Sequence, residues 1–145
     1  MSEESKEVSM RLVERAEEIA TRAHQGQTRW NGDPYITHPQ RVADKAIMLG
    51  PSYVATAWLH DVIEDTDVTL LDLAVLPYNI VKAVEVLTKP PTMEYSQYIE
   101  RVSENKLASK IKILDLRDNM KDLDPDTPRY TKYRLALMLL EVQHD

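Results

Sequence analysis

The segment Ala57-Trp58-Leu59-His60-Asp61-Val62-Ile63-Glu64-Asp65-Thr66 restricts the fold more than any other part of the chain. One histidine and three carboxylates fall between His60 and Asp65, inside otherwise apolar sequence. Val54, Ala57, Trp58 and Val62 recur at helical spacing and mark a core-facing side. A solvated acidic face fits that pattern poorly. On a helix His60 and Glu64 lie one turn apart, as do Asp61 and Asp65. The fold must therefore bring clustered carboxylates partly inside, where they repel one another and lose hydration. Something positive has to compensate them. A divalent metal held by His60 and Asp61 does so, and leaves Glu64 and Asp65 for acid–base work.

The surrounding chain reads as short helices punctuated by proline and glycine. A first helix is expected from about Lys6 to His24, with residues 1–5 frayed and Leu12, Ala16, Ile19 and Ala23 on one face. Gln25 to Thr37 holds Gly26, an Asn31-Gly32 turn and Pro34, and reads as a loop or short hairpin. Pro39 opens a second helix that ends at Gly50, and Pro51 opens a third that runs to about Thr66. A short helix from Thr69 and one from Pro77 follow, the latter broken by Lys89-Pro90-Pro91. The last three are expected over about Met93–Glu104, Lys106–Leu123 and Tyr130–Gln143. No stretch alternates as a strand does, and the 3 glycines all fall near proposed loops. The expectation is an all-α bundle of about 7–8 helices, a single domain over residues 1–145.

Composition narrows the function classes. With 18 basic and 24 acidic residues the net charge is −6, which argues against a general grip on nucleic acid. No cysteine is present, so a metal must be held by His, Asp or Glu. No apolar run approaches the roughly 20 residues that span a bilayer, and the polar start is unlike a signal peptide. A cytoplasmic protein without membrane contact is expected; the oligomeric state is left open.

Of the four histidines, His144 is terminal and is given no role. His24 ends a helix and reads as structural, capping carbonyls or favouring the dipole. His38 precedes Pro39 at a helix start, where a side chain can point back into a cleft. Asp115 lies between apolar residues in Ile111-Lys112-Ile113-Leu114-Asp115-Leu116. It reads either as a buried salt bridge to Lys112 or Arg117, or as a further ligand facing His60 and Asp61. Two histidines and two aspartates suit Mn²⁺, Fe²⁺ or Zn²⁺ with positions left for water and a phosphate oxygen. Such a centre beside Glu64 and Asp65 points to hydrolysis. No phosphate-binding loop or nucleophile elbow offers a rival chemistry.

The His60-Asp61 doublet resembles the mark of the HD superfamily of metal-dependent phosphohydrolases. More specifically the chain resembles the hydrolase domain of the RelA/SpoT family and its small stand-alone alarmone hydrolases. The matching blocks are Ala23-His24-Gln25-Gly26-Gln27, Pro34-Tyr35-Ile36-Thr37-His38-Pro39, Leu59 to Thr66, Leu87-Thr88-Lys89, and Ile111 to Asp115 with Asn119. The resemblance implies an HD-domain helical bundle with His38, His60, Asp61 and Asp115 as metal ligands, usually of Mn²⁺. It implies Glu64 and Asp65 as the acidic pair handling the attacking water, Arg29 against a guanine base, and Asn119 near the ribose. The implied reaction removes the 3′-pyrophosphate from guanosine tetra- or pentaphosphate, a small nucleotide substrate.

The chain also departs from the pattern. Trp30 and Asn31 stand where Lys-Ser is frequent, Asp122 where a small hydroxyl residue is common, and Asp118 where histidine or tyrosine is frequent. Tyr95-Ser96-Gln97-Tyr98 lacks an Arg-Lys pair often found there. Each swap removes positive charge, adds negative charge or changes shape around the substrate. Trp30 reads either as a platform for a base or as a loop residue covering the core. Two further readings follow: a related phosphohydrolase of another nucleotide or nucleotide cofactor, and a non-catalytic nucleotide-sensing module on the same scaffold.

Overall fold

The computed structural model describes residues 2–144, without the side chains of residues 143 and 144, so His144 lies outside the described side chains. Among the described residues the helices are α1 (Glu3–Ala23), α2 (Thr37–Ala46), α3 (Pro51–Leu59), α4 (Val62–Asp65), α5 (Tyr78–Leu87), α6 (Tyr95–Ser103), α7 (Lys106–Met120) and α8 (Pro128–His144). Two 3-10 turns, Ile47–Leu49 and Leu71–Leu73, join them. The expected all-α architecture is what is found. No described helix is long and apolar enough to cross a membrane.

Local chemistry sets the boundaries. The first helix begins at Glu3 rather than near Lys6, because the Ser2 hydroxyl accepts from the Ser5 amide and Glu3 and Glu4 favour the helix start. The expected fraying of residues 1–5 is thus not found for residues 3–5. The helix proposed from Thr69 is only the 3-10 turn Leu71–Leu73, held by reciprocal bonds between Thr69 and Asp72. Glu94 and Gln97 form a capping box that starts α6 at Tyr95. The Asn105 side chain caps α7 by accepting from the Ala108 amide. Gly50, at φ +119°, lets the chain turn into Pro51 at the first position of α3.

The chief departure lies in the central stretch. One continuous helix from Pro51 to about Thr66 was expected; instead α3 ends at Leu59 and α4 begins at Val62. The His60 amide reaches only back to Ala57, a tightened turn, and Asp61 adopts φ −108°, ψ −2°. The ladder resumes when the Asp65 amide bonds the Asp61 carbonyl. The break turns Asp61 away from a plain helical register while keeping Asp65 one turn beyond it.

Helix α7 is the hub, in contact with α2, α3, α5, α6 and α8, while α3 packs against α1, α2, α5 and α7. That position explains why α7 buries residues almost all round its axis, from Ala108 and Ile111 to Asp115 and Asp118. The core runs from Ala16 and Ala20 through Val42, Leu59, Val62, Ile80, Val84 and Ile111 to Leu116 and Leu140. Leu140, fully buried, anchors α8. Leu140→Ala is expected to destabilise the protein by about 2–5 kcal/mol. A urea titration should show a lower midpoint at unchanged slope; an unaltered midpoint would mean that α8 does not contribute to the cooperative core.

Candidate metal centre

Three segments meet at one point. His38 comes from the first turn of α2, His60 and Asp61 from the break between α3 and α4, and Asp115 from the middle of α7. Each offers one ligand atom, and the four atoms lie within 4.8 Å of one another. His38 Nε2 is 2.8 Å from Asp115 Oδ1 and 3.6 Å from Asp61 Oδ2. His60 Nε2 is 3.0 Å from Asp61 Oδ2 and 3.2 Å from Asp115 Oδ1. The other nitrogen of each ring is held: His60 Nδ1 donates to the Ala57 carbonyl at 2.7 Å, and His38 Nδ1 to Asp118 Oδ2 at 2.7 Å. Both Nε2 atoms are thereby aimed at the carboxylates. Two neutral imidazoles and two carboxylates with converging donor atoms fit a divalent cation.

The electrostatics agree. Burial alone would lower the pKa of both histidines, but Asp115 and Asp118 around His38, and Asp61 and Asp115 around His60, outweigh it and raise both. Burial pushes Asp115 up, yet Lys112 and His60 hold it well below the carboxylate range. Asp61 is depressed as well, its burial outweighed by His60. Raised histidines and depressed carboxylates favour pairing a protonated ring with a carboxylate, a charge arrangement that a bound cation can replace.

Asp115 makes the buried salt bridge and faces the histidines at the same time. Its Oδ2 accepts from Lys112 Nζ at 2.9 Å, while Oδ1 faces the histidines. Arg117, the other partner considered, reaches Glu141 instead. Glu64 and Asp65 stand beside the cluster. Glu64 Oε1 accepts from the Lys89 amide at 2.7 Å, and Asp65 Oδ2 accepts from the Tyr35 hydroxyl at 2.9 Å. Burial is the main reason that both carboxyls are raised above their usual values, and the Asp61 charge adds to it. A cleft of about 510 Å³ opens beside Glu64, with Lys89 and Arg101 in its wall.

The residues expected to contact substrate are less uniform. Arg29, Trp30 and Asn31 lie on the loop between α1 and α2. The Gly32 amide bonds the Arg29 carbonyl and the Arg29 amide the Asp33 carbonyl, closing a tight hairpin with Gly32 at φ +90°. Trp30 is 74% exposed, so it does not cover the core. Asn31 accepts from the Asp33 amide and shapes the turn. Asn119 donates to Asp115 Oδ1 at 3.1 Å and so touches the metal cluster itself. Asp118 is fully buried and paired with Arg41 and His38, which corrects the idea that it adds negative charge around the substrate. His24 does not cap carbonyls with its ring; it is buried, bonds Gln27 and stacks on Tyr35 with centroids 4.8 Å apart.

Tyr35 is the residue that sequence reasoning passed over. Its hydroxyl lies 2.7 Å from Asp61 Oδ2 and 2.9 Å from Asp65 Oδ2, bridging the two carboxylates. Burial, then Asp61 and Asp65, push its own pKa up, so it stays a neutral donor. Its place three residues before His38, at the mouth of α2, is the signal that could have found it.

A helical bundle with a His-Asp doublet at a helix break, completed from two neighbouring helices, is an HD-type fold. No family model matches the chain. It is 34% identical over 122 residues to the guanosine-3′,5′-bis(diphosphate) 3′-pyrophosphohydrolase of Aquifex aeolicus, a match covering 77% of this chain and 18% of that protein. It is 35% identical over 138 residues to the protein of the same name from Vibrio cholerae, covering 86% and 19%. A GTP pyrophosphokinase of Streptomyces coelicolor is 46% identical over 67 residues, 45% of this chain and 8% of that one. The chain therefore spans less than a fifth of the length of these relatives. Among solved structures, a metazoan ortholog of SpoT that hydrolyzes ppGpp superposes with a TM-score of 0.73 at 22% identity, covering 91% of this chain and 84% of that one. In sequence and in fold the chain is RelA/SpoT hydrolase-like.

Proposed function

We propose that the protein is a metal-dependent pyrophosphohydrolase that removes the 3′-pyrophosphate from guanosine tetra- or pentaphosphate, with Mn²⁺ as its metal. The observation that carries this reading is the convergence of His38, His60, Asp61 and Asp115 next to two further carboxylates. The similarity to named 3′-pyrophosphohydrolases over most of this chain supports the substrate. A divalent metal bound there would polarise a phosphoryl oxygen and lower the pKa of water. The chain's own residues do the rest. His38, His60, Asp61 and Asp115 hold the metal. Glu64 and Asp65, raised by burial, take and return a proton at their carboxylate oxygens. Tyr35 fixes the spacing of Asp61 and Asp65. Arg29 and Trp30 offer a cation and an aromatic face to the base, and Asn119, beside Asp115, is the residue assigned to the sugar.

The test is a panel of nucleotides and nucleotide cofactors incubated with Mn²⁺-loaded protein, scored for pyrophosphate against phosphate. Pyrophosphate released fastest from guanosine tetraphosphate is expected. A different best substrate would move the assignment to another nucleotide, and no turnover of any would favour a sensing module.

Protons and metal compete for the same two histidines. Their raised folded pKa values stabilise the metal-free protein below the unfolded value of about 6.5, and this stability is lost as pH rises through the folded values. Metal affinity runs the other way, because the ligands must be deprotonated. Saturating Mn²⁺ is therefore expected to raise Tm more at about pH 8 than at about pH 6. Differential scanning fluorimetry reads this directly; equal shifts at both values would remove the histidines from the metal site.

A further inference from the structure

Asp118 has no part in the metal cluster, yet it is fully buried on α7, beside it. Its Oδ2 accepts from His38 Nδ1 at 2.7 Å. Arg41 meets it side-on, with Nε 2.9 Å from Oδ1 and Nη2 3.0 Å from Oδ2. Lys121 Nζ is more distant, 3.5 Å from Oδ1. His38 and Arg41 are one turn apart on α2, and Asp115 and Asp118 one turn apart on α7. The two helices thus interlock in the order Asp115, His38, Asp118, Arg41.

An isolated carboxylate buried to this degree is costly, and removing one partner of a buried pair is costlier than never having it. The sequence accepts that cost at a point where the carboxylate meets the ring of His38. The Nδ1–H of His38 is committed to Asp118, so Nε2, facing Asp61 and Asp115, is the end that would offer a lone pair once a cation displaces its proton. A carboxylate behind a ligating histidine fixes its tautomer and orientation and raises its basicity. Arg41 holds that carboxylate by a fork-to-fork pair, which sets direction as well as charge.

We infer that Asp118 and Arg41 form a positioning pair that orients His38 for metal binding. Neither touches the metal or the substrate; both act through the imidazole. This rests on the metal-site reading above. It also gives the buried Asp118 a task at the centre, in place of one in nucleotide recognition.

The test measures Mn²⁺ affinity of the full chain by calorimetry, alongside urea unfolding of the metal-free protein. Asp118→Asn is expected to weaken Mn²⁺ binding about 10–100-fold. Arg41→Met, which leaves the carboxylate but frees it, should weaken it by a smaller factor. The Mn²⁺ concentration for half-maximal hydrolysis should rise in parallel, with kcat at saturating metal largely recovered. In a His38→Ala background, Asp118→Asn should add little further loss, because its effect passes through the missing ring. A purely structural Asp118 would lower the metal-free unfolding midpoint and leave the Mn²⁺ affinity of the folded protein unchanged; that result overturns the inference. If Asp118→Asn does not fold, Arg41→Met decides on the same terms: weaker binding supports the pair and unchanged binding overturns it. Failure of the metal-site reading looks different. Wild-type protein would then bind no Mn²⁺, or His38→Ala would bind it as well as wild type.

Discussion

Asp61→Ala is expected to abolish both tight Mn²⁺ binding and release of pyrophosphate from guanosine tetraphosphate. Asp61 meets both histidines, at 3.0 Å from His60 and 3.6 Å from His38, and also takes the Tyr35 hydroxyl. Its removal takes away one of two anionic ligands and leaves Asp115 as the one carboxylate facing both Nε2 atoms. A metal contributes several kcal/mol to stabilising charge on a transferring phosphoryl group, so the rate should fall by about 10³-fold or more. Calorimetry and a pyrophosphate assay on the same preparation check both halves. Retained turnover at ordinary Mn²⁺ concentrations would remove Asp61 from the centre.

The second large effect separates chemistry from binding. Glu64→Gln keeps an oxygen for the Lys89 amide and so should preserve the fold around the cluster. Mn²⁺ affinity is expected to stay close to wild type, while kcat falls about 10²–10⁴-fold, the range for loss of a general acid or base. Burial raises the Glu64 carboxyl in the metal-free protein, and a bound cation opposes that rise. At saturating Mn²⁺ the acid-side decline of the wild-type rate should therefore change shape in the variant, while the part set by the histidines remains. If Asp65 is the working group instead, Glu64→Gln will cost little and Asp65→Asn will carry the loss. A fall in metal affinity matching the fall in rate would place Glu64 among the ligands.

What the sequence made legible divides along the range of the interactions. The bundle could be read because amphipathic spacing and prolines act within a few residues, and Gly50-Pro51 do in the structure what they promise in the chain. The cluster could be read because His60, Asp61 and Asp115 sit in apolar surroundings that solvation does not explain. The break between α3 and α4 was not legible. Its local sequence is a good helix, and it is His60 folding back on Ala57 while facing α7 that interrupts the ladder. Asp118 was misjudged for a similar reason: its partners His38 and Arg41 are 80 and 77 residues away, so its charge read as bearing on the substrate when it is buried and paired. Tyr35 escaped notice because its two acceptors lie 26 and 30 residues further on.

The ligands of the cluster also say something about how the chain keeps its shape. His38 and Asp115 are 77 residues apart in sequence, with His60 and Asp61 between them. One ion held by all of them would act as a cross-link, tying α2, the α3–α4 junction and α7 across loops whose closure the unfolded chain resists. Ligand that binds only the folded form adds about 2.7 kcal/mol at a hundred times its Kd. Stripping the metal would therefore do more than silence a reaction: it would leave the hub helix joined to α2 by a knot of protons and carboxylates whose strength follows the pH. Availability of the ion then becomes a factor in how long the folded molecule persists.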